Sequence, residues 1–303
     1  MNNIKPWISA VRLRTLPLSV SGIVVGSCIA YYNGFFKISI FIFAILTTLS
    51  LQVLSNLAND YGDGIKGTDN QNRLGPERAI QSGKITPEQM YDAIKINILI
   101  VILLTFLLIY SAFNSNQFLY SLLFFVLALL SIYAAVKYTV GSTAYGYRAL
   151  GDIMVFLFFG LVSVMGTYFL FARQLDHILI FPACIIGLLS TGVLNLNNMR
   201  DIESDRASNK ITIAAKLGVN KAKIYHSFLI ISAMLLSILF AIFYYRSISN
   251  LVFMIIFIPL TRHTIKVINI KDPKLLDPQL KLLALSTFAL AFLLGIGYIY
   301  NAM

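Results

Sequence analysis

The sequence predicts an all-α protein, a polytopic membrane bundle of nine transmembrane helices. Of its 303 residues, 58% are hydrophobic and only 12% are charged, and the mean hydropathy is +0.78. A soluble domain of this length would not need so much apolar surface. The apolar residues run continuously over lengths that let a helix cross a bilayer, whereas a membrane β-barrel would show alternation. We therefore expect one transmembrane domain over residues 1–303.

Apolar segments separated by polar stretches place the helices along the chain. The expected spans are 17–33, 38–58, 92–113, 118–136, 151–172, 178–196, 227–245, 249–268 and 282–301. Pro259 falls inside the eighth span and is expected to kink it, because proline removes a backbone hydrogen bond. Cys28 and Cys184 lie within apolar segments, so we expect them to pack as small hydrophobic residues rather than to form a disulfide.

The basic residues predict how the bundle is oriented. With nine spans, all but three of the 24 Lys and Arg residues fall on the side that holds the N-terminus. The positive-inside rule then predicts a multi-pass protein of the cytoplasmic (inner) membrane, with its N-terminus in the cytoplasm and its C-terminus outside. The net charge of +11 follows from this orientation and from contact with anionic lipid or substrate, so nucleic acid is not an expected partner.

Acidic residues are scarce, and they gather at two places on the cytoplasmic side. The chain has only 13 Asp and Glu residues. The first acidic stretch, residues 56–69, begins at the end of the second span, and the second acidic stretch, residues 195–205, begins at the end of the sixth. The aspartates of the two stretches are Asp60, Asp63, Asp69, Asp201 and Asp205. Such concentration in a chain with few acids indicates a site.

The spacing within the two stretches predicts acidic rows on helix faces, because side chains three or four residues apart share a face. Carboxylates this close resist ionisation unless a cation neutralises them. Hard oxygen ligands suit Mg²⁺, which keeps some water and bridges to substrate phosphates. The predicted metal ligands are Asn59, Asp60, Asp63, Asp69, Asn197, Asp201 and Asp205.

Basic and amide side chains surround both stretches and predict a diphosphate site. Those expected to bind the diphosphate are Asn59, Lys66, Arg73, Arg78, Asn197, Asn198, Arg200 and Lys210. Gly62, Gly64 and Gly67 are expected to break the helix after Asp63 and let the backbone bend around the ligand. Apolar helices behind the site could hold a long lipid tail, so the predicted substrate is a lipid diphosphate.

Two alternative hypotheses also explain charged residues at these positions. Charges next to a membrane span can be simple solvated anchors, and carboxylates in membrane proteins also serve transporters or cation channels. A transporter would place its acids within the spans, near the middle of the membrane. The acids here cluster at one face together with Arg and Lys, which favours an enzyme.

The two stretches also carry a resemblance to a known family. Asn59-Asp60-Tyr61-Gly62-Asp63 and the residues up to Asp69 resemble the first Asp-rich motif of the UbiA-type intramembrane prenyltransferases, and residues 197–206 resemble the second. Within that superfamily the chain looks most like the branch that acts on 1,4-dihydroxy-2-naphthoate in menaquinone biosynthesis. Further markers of that branch are Arg14-Thr15-Leu16-Pro17 and the segment 155–168.

The resemblance implies a function and a set of roles. It implies transfer of a polyprenyl group from polyprenyl diphosphate to 1,4-dihydroxy-2-naphthoate, with loss of diphosphate and CO₂, giving demethylmenaquinol. It implies Mg²⁺ as the cofactor and Asp60, Asp63, Asp201 and Asp205 as catalytic residues. The alternative within the superfamily is another aromatic prenyltransferase, such as one that acts on 4-hydroxybenzoate. Residues expected on the acceptor side are Tyr147, Arg148 and Asp152.

Overall fold

Helices build the part of the chain that the structure, a computed structural model, describes: residues 4–68 and 74–300. In these residues nine helices are long and apolar enough to cross a membrane, which confirms the expected number. In chain order they are α1 (Ile4–Tyr32), α2 (Ile38–Ile65), α3 (Pro87–Ala112), α4 (Ser115–Lys137), α5 (Gly151–Ala172), α6 (His177–Arg200), α7 (Ile213–Phe243), α8 (Ile248–Asn269) and α9 (Pro273–Ile299).

α1 is interrupted at Arg12. The α-helical segments Ile4–Val11 and Leu16–Tyr32 are joined there through one 3₁₀ turn. Arg12 has φ 54°, in the left-handed region that residues other than glycine rarely occupy. Asn56 of α2 stabilises the interrupted backbone, because its side-chain amide donates a hydrogen bond of 2.8 Å to the carbonyl oxygen of Val11. The break is therefore supported by the neighbouring helix.

α2 continues through the first acidic stretch as far as Ile65. The expectation that Gly62 and Gly64 break the helix is wrong. A Cβ atom on Gly62 would lie 2.5 Å from the hydroxyl oxygen of Thr139, and one on Gly64 would lie 2.8 Å from the side chain of Ile80. These two glycines therefore allow close packing, and the chain turns only at Gly67, which has φ +68°.

The second acidic stretch is bent rather than straight. α6 ends at Arg200, and a short helix, Ile202–Ala207, follows after Asp201. Asp201 itself has φ −102° and ψ 13°, which departs from helical geometry. The predicted row of side chains along a continuous helix is thus divided at Asp201, and Asp205 lies on the short helix.

The middle of α5, Phe156–Gly166, is a π-helix. π-Helical turns are rare and are often found at functional sites. This one packs closely against its neighbours: a Cβ atom on Gly22 of α1 would lie 2.2 Å from the hydroxyl oxygen of Ser163. A Cβ atom on Gly160 would lie 2.5 Å from the carbonyl oxygen of Ala183 in α6. Glycine at these positions therefore lets the three backbones approach.

A buried polar chain joins the last three helices. The Nε2 atoms of His226 in α7 and His263 in α8 lie 2.9 Å apart, and Nδ1 of His263 lies 3.0 Å from the amide oxygen of Gln279 in α9. Hydrogen-bonded side chains in a membrane-embedded bundle stabilise helix contacts by roughly 0.6 kcal/mol each.

α8 changes from a 3₁₀ segment, Ile248–Ile256, to an α-helical segment, Phe257–Asn269. Pro259 lies near the start of the α-helical segment, and the expected kink there stays a prediction.

Burial distinguishes the central helices from the peripheral ones. In the apolar 18-residue stretch of α6, 61% of the residues are buried, whereas in that of α4 only 6% are. α4 therefore has most of its surface available to lipid, whereas α6 lies at the centre of the bundle. Because the second acidic stretch begins in the last turns of α6, the fold carries it into the protein interior.

Gly160→Ala should destabilise the protein, because the new Cβ atom would lie 2.5 Å from a backbone oxygen of Ala183. Overpacking of this kind costs about 1–3 kcal/mol, so we expect a lower midpoint of thermal unfolding in detergent. Gly166→Ala is the matched control in the same helix, since its Cβ atom would have no neighbour nearer than 3.9 Å. Equal midpoints for the two variants would contradict this packing.

Candidate active site

A cavity of about 370 Å³ lies among α1 to α6 and α9. Much of its wall is apolar and includes Leu51, Leu127 and Phe158. One end of the wall carries polar side chains from both acidic stretches, and we call it the polar end. The sequence-predicted site residues that line the cavity are Asn59, Asp63, Arg78, Asn197, Asp201 and Lys210. The two stretches therefore meet at one cavity.

Asp63 and Asp60 face different surroundings although they lie on the same helix. Asp63 lines the cavity and accepts hydrogen bonds from the hydroxyl of Tyr147 at 2.7 Å and from the ammonium of Lys210 at 3.3 Å. Asp60 is not among the lining residues, and its carboxylate accepts a hydrogen bond of 3.2 Å from the backbone N–H of Ala79. Asp63 faces the cavity, whereas Asp60 supports the loop that leads into α3.

Tyr147 holds the first acidic stretch in place. Besides donating to Asp63, its hydroxyl lies 2.6 Å from that of Thr68. The ammonium of Lys66 lies 3.9 Å from the centroid of the Tyr147 ring, within the range of a cation–π interaction. Burial raises the pKa of Tyr147, and the neighbouring Asp63 raises it further. Tyr147 therefore stays neutral and acts as a hydrogen-bond donor.

Lys210 connects the two acidic stretches. Its ammonium lies 3.3 Å from a carboxylate oxygen of Asp63 and 3.7 Å from one of Asp205. Burial by itself would lower the pKa of Lys210, but Asp63 and Asp205 outweigh burial and raise the pKa above its usual value. The next residue, Ile211, accepts a backbone hydrogen bond of 2.7 Å from Ala149, which anchors this segment beside Tyr147.

Arg200 is a fully buried cation, and its guanidinium is engaged by carboxylates on two sides. It donates two hydrogen bonds, of 2.8 Å and 2.7 Å, to the two oxygens of Asp201. It also donates to Asp277 at 2.5 Å and to the amide oxygen of Asn197 at 2.8 Å. Bidentate pairs of this kind fix orientation as well as charge. Arg200 therefore orients Asp201 within the site, and its role as a direct diphosphate ligand stays a prediction.

Asp277 belongs to this network, although the sequence did not predict it. Asp277 lies in α9 and also forms an ion pair of 3.0 Å with Arg14 of α1. The available signal was its position directly before Pro278 at the start of the ninth apolar segment, but nothing in the local pattern shows that its partners are Arg14 and Arg200. Arg14 itself lines the cavity, although the sequence indicated it only as a family marker.

Two other residues predicted to bind the diphosphate, Asn198 and Lys66, lie outside the cavity wall. Asn198 is buried and Lys66 donates a hydrogen bond of 2.7 Å to the backbone carbonyl of Thr139; neither is among the lining residues. Burial lowers the pKa of Lys66, and Asp63 partly offsets that shift. Asp69 and Arg73 lie outside the residues that the structure describes.

The predicted acceptor-side residues are separated from one another. Tyr147 contacts Asp63, as described, while Arg148 is exposed. Asp152 is buried and accepts a hydrogen bond of 3.1 Å from the hydroxyl of Tyr225 in α7. None of the three is among the described residues that line the cavity. Their role toward an acceptor stays a prediction.

The oxygen donors at the polar end fit a divalent cation such as Mg²⁺. Asp63 and Asp201 line it together with Asn59 and Asn197, and the shared contact with Lys210 brings carboxylates of both stretches to one positive charge. Within residues 4–68 and 74–300 no three His, Cys, Asp or Glu side chains are gathered closely enough to hold an ion. Water and substrate phosphate would therefore complete the coordination, as is usual for Mg²⁺.

The fold and the site define a class of membrane-embedded helical protein in which a polar, cation-rich pocket opens into an apolar chamber. Comparison with known proteins gives the family. Residues 19–279 match the UbiA prenyltransferase family, and the chain belongs to that family.

Individual relatives agree with this assignment. The chain is 39% identical to the 1,4-dihydroxy-2-naphthoate octaprenyltransferase of Escherichia coli strain K12, over 93% of this chain and 91% of that protein. It is 38% identical to the protein of the same name from Haemophilus influenzae, over 97% of this chain and 96% of that one. A UbiA homolog from Archaeoglobus fulgidus bound to DMAPP and Mg²⁺ shares the fold, with a TM-score of 0.53 at 13% identity, over 95% of this chain and 98% of that one.

Lys210→Met should destabilise the protein because it leaves Asp63 and Asp205 buried without their shared cation. Removing one partner of a buried ion pair costs about 3–5 kcal/mol. The folded-state pKa of Lys210 is raised, so its stabilisation is fully present below the ordinary lysine pKa of about 10.4 and declines at higher pH. In detergent, the free energy of unfolding of Lys210→Met should therefore be lower than that of the wild type by a constant amount between about pH 7 and 9. This difference should shrink above about pH 10.4.

The control for this measurement is Lys221→Met, which removes a positive charge from an exposed position in α7. Its free energy of unfolding should match that of the wild type. Millimolar Mg²⁺ should restore part of the stability that Lys210→Met loses, because a metal ion can replace the missing charge between the carboxylates. An unchanged stability for Lys210→Met at pH 7 would show that the buried pair does not hold the two stretches together.

Proposed function

We propose that this protein transfers a polyprenyl group from polyprenyl diphosphate to 1,4-dihydroxy-2-naphthoate, with release of diphosphate and CO₂, in menaquinone biosynthesis. The observation that carries the proposal is the meeting of Asp63 and Asp201 at the polar end of an otherwise largely apolar cavity. Relatives that share 38% and 39% of their residues with this chain over most of their length bear the name of this activity.

The polar end provides what a prenyl diphosphate needs. Asp63 and Asp201, assisted by Asn59 and Asn197, would hold Mg²⁺, which stabilises the negative charge that develops on the leaving diphosphate. Arg78 and Lys210 line the same region and would neutralise the phosphate oxygens directly. Arg200 keeps the carboxylate of Asp201 oriented toward the site.

The apolar part of the cavity suits the prenyl chain. Its lining residues on α2 extend from Ala44 to Asp63, which corresponds to about 28 Å of helix at 1.5 Å per residue. Thus an isoprenoid bound with its diphosphate at the polar end would extend along α2 among apolar side chains. Exclusion of water from this part of the cavity would also protect an allylic cation from hydrolysis.

The reaction balances without an oxidant or reductant. The allylic C–O bond breaks, and its electron pair leaves with the diphosphate. The ring carbon that bears the carboxylate forms the new C–C bond to the allylic carbon. The C–C bond to the carboxylate then breaks, its electron pair restores the aromatic ring, and CO₂ departs. Catalysis therefore requires the protein to bind two anionic substrates side by side.

The proposed site faces the cytoplasm of an inner-membrane protein. All but three of the 24 Lys and Arg residues fall on the side of the expected spans that carries the two acidic stretches, which supports a cytoplasmic N-terminus and an external C-terminus under the positive-inside rule. Both water-soluble components, the aromatic acid and Mg²⁺, would then reach the polar end from the cytoplasm, and the prenyl chain would arrive from the bilayer.

Asp63→Asn and Asp201→Asn should each lower the rate of prenyl transfer by about 100-fold or more, because each removes a ligand of the metal that stabilises the leaving group. The measurement is release of labelled CO₂ from carboxyl-labelled 1,4-dihydroxy-2-naphthoate by membranes supplied with a polyprenyl diphosphate and Mg²⁺. Near-wild-type rates in a folded protein would sink the assignment of these two aspartates.

Glu203→Gln is the matched control, because Glu203 lies between Asp201 and Asp205 but has 88% of its side chain exposed. We expect it to keep wild-type activity.

The identity of the acceptor is tested with the wild-type protein. Prenylation of 4-hydroxybenzoate in place of dihydroxynaphthoate, without CO₂ release, would overturn the proposed acceptor and leave the proposed metal site intact.

A further inference from the structure

We propose that the hydroxyl of Ser190, in α6, binds the hydroxyl at position 4 of the aromatic acceptor and thereby helps the site to select a dihydroxynaphthoate. This inference rests on the proposed function, which supplies the acceptor. The observation that carries it is a buried hydroxyl at the cavity wall. Ser190 lines the cavity with only 1% of its surface exposed, and its hydroxyl has no hydrogen-bond partner among the described residues.

Other buried hydroxyls in the spans are satisfied by their own helix. The hydroxyls of Thr191, Ser237 and Thr287 donate to the carbonyl oxygen four residues earlier, at 2.8, 2.8 and 2.9 Å. This local bond is open to any serine or threonine within a helix. Ser190 does not form it, although it directly precedes Thr191. Because a buried polar group without a partner is destabilising, its hydroxyl marks a place for a polar group of the ligand.

The side chain of Ser190 points into the cavity rather than toward a neighbouring helix. The two residues that follow it face other helices. The hydroxyl of Thr191 lies 3.4 Å from the carbonyl oxygen of Asp152 in α5, and a Cβ atom on Gly192 would lie 3.0 Å from the side chain of Ile230 in α7. The residues of α6 that line the cavity recur at helical spacing and form one face: Ser190, Val193, Leu194, Asn197 and Asp201.

Three further hydroxyls at the cavity wall lack a partner among the described residues, those of Thr47, Thr105 and Ser163. Ser163 is packed against α1, because a Cβ atom on Gly22 would lie 2.2 Å from its hydroxyl oxygen. Thr47 lies sixteen residues before Asp63 on α2, or about 24 Å along the helix. Ser190 is much nearer to the polar end, since it precedes Asn197 by seven residues, or about 10 Å.

The place of Ser190 fits an acceptor that reacts at the polar end. The carboxylate-bearing carbon must come within about 3–3.5 Å of the allylic carbon, which is attached to the diphosphate. The rest of the ring system would then extend along α6, against Val193 and Leu194, and bring the hydroxyl at position 4 toward Ser190. The proposed path of the prenyl chain follows α2, so the ring and the chain occupy different walls of the cavity.

The chemistry of the acceptor explains why the hydroxyl at position 4 needs a partner from the protein. The hydroxyl at position 1 is next to the carboxylate and can donate to it within the molecule. The hydroxyl at position 4 has no such neighbour, and a serine can both donate to it and accept from it. A site that hydrogen-bonds a substrate hydroxyl rejects an analogue without that hydroxyl. Ser190 thus acts in binding and selection, and it transfers no proton.

The test compares two probes that differ only in this hydroxyl, 1,4-dihydroxy-2-naphthoate and 1-hydroxy-2-naphthoate. Isothermal titration calorimetry on the full chain in lipid nanodiscs gives Kd for each probe, with Mg²⁺, inorganic diphosphate and a reductant present. Ser190→Ala removes the hydroxyl and little else. Thr47→Val is the matched control, because it removes another unpartnered hydroxyl from the same cavity, far from the polar end.

We expect Ser190→Ala to raise the Kd of 1,4-dihydroxy-2-naphthoate by about tenfold and to change that of 1-hydroxy-2-naphthoate by less than about twofold. The unchanged second Kd would show that the variant is folded and its cavity intact. Thr47→Val should change neither Kd. The proposal is overturned if the wild type does not bind the dihydroxy probe more tightly than the monohydroxy probe, or if Ser190→Ala keeps the wild-type ratio of the two Kd values.

The result is separable from the fate of the proposed function. Wild-type protein whose preference for the dihydroxy probe depends on Ser190, yet which transfers no prenyl group to it, would retain the contact and lose the proposed reaction. Wild-type protein that performs the transfer, while Ser190→Ala keeps the wild-type ratio of Kd values, would retain the reaction and lose the contact.

Discussion

The ammonium of Lys210, placed between Asp63 and Asp205, is the interaction on which the polar end depends. Lys210 and Asp63 are 147 residues apart in the chain, and each is buried. A buried charge is tolerated only when it is paired, so neither acidic stretch could occupy its position without the other. The backbone bond between Ala149 and Ile211 brings Tyr147 to the same point, where it fixes the remaining oxygen of Asp63.

A second series of ion pairs fixes the other cavity carboxylate, Asp201. Arg14 of α1, Asp277 of α9 and Arg200 of α6 are linked in sequence by ion pairs and end on Asp201. Because the guanidinium of Arg200 is fully buried, loss of any neighbour would leave charge without compensation. The two series of ion pairs involve four helices around the cavity, α1, α2, α6 and α9. They also orient the two carboxylates of the cavity, Asp63 and Asp201.

The cavity thereby combines two environments that a lipid diphosphate and an aromatic acid require. Its polar end has an excess of basic side chains, and its remaining wall is mainly apolar. Arg12 and Arg14, at the break in α1, also line this cavity. A reaction that removes both anionic groups, one as diphosphate and the other as CO₂, would leave a neutral product in an apolar chamber. The shape of the site and the chemistry of the proposed reaction are therefore consistent.

The nine helices and the two acidic stretches could be predicted from the amino-acid sequence, because the length of an apolar segment and the scarcity of acids can be read directly from it. It also indicated that Asp63, Asp201 and Lys210 belong to one site. That Asp63 faces the cavity while Asp60 accepts a hydrogen bond from the backbone of Ala79 became visible only in the folded protein. Likewise, only packing against Thr139 shows why residue 62 is a glycine within a continuous helix. Such outcomes depend on partners that are distant in the chain, and helical spacing carries no information about them.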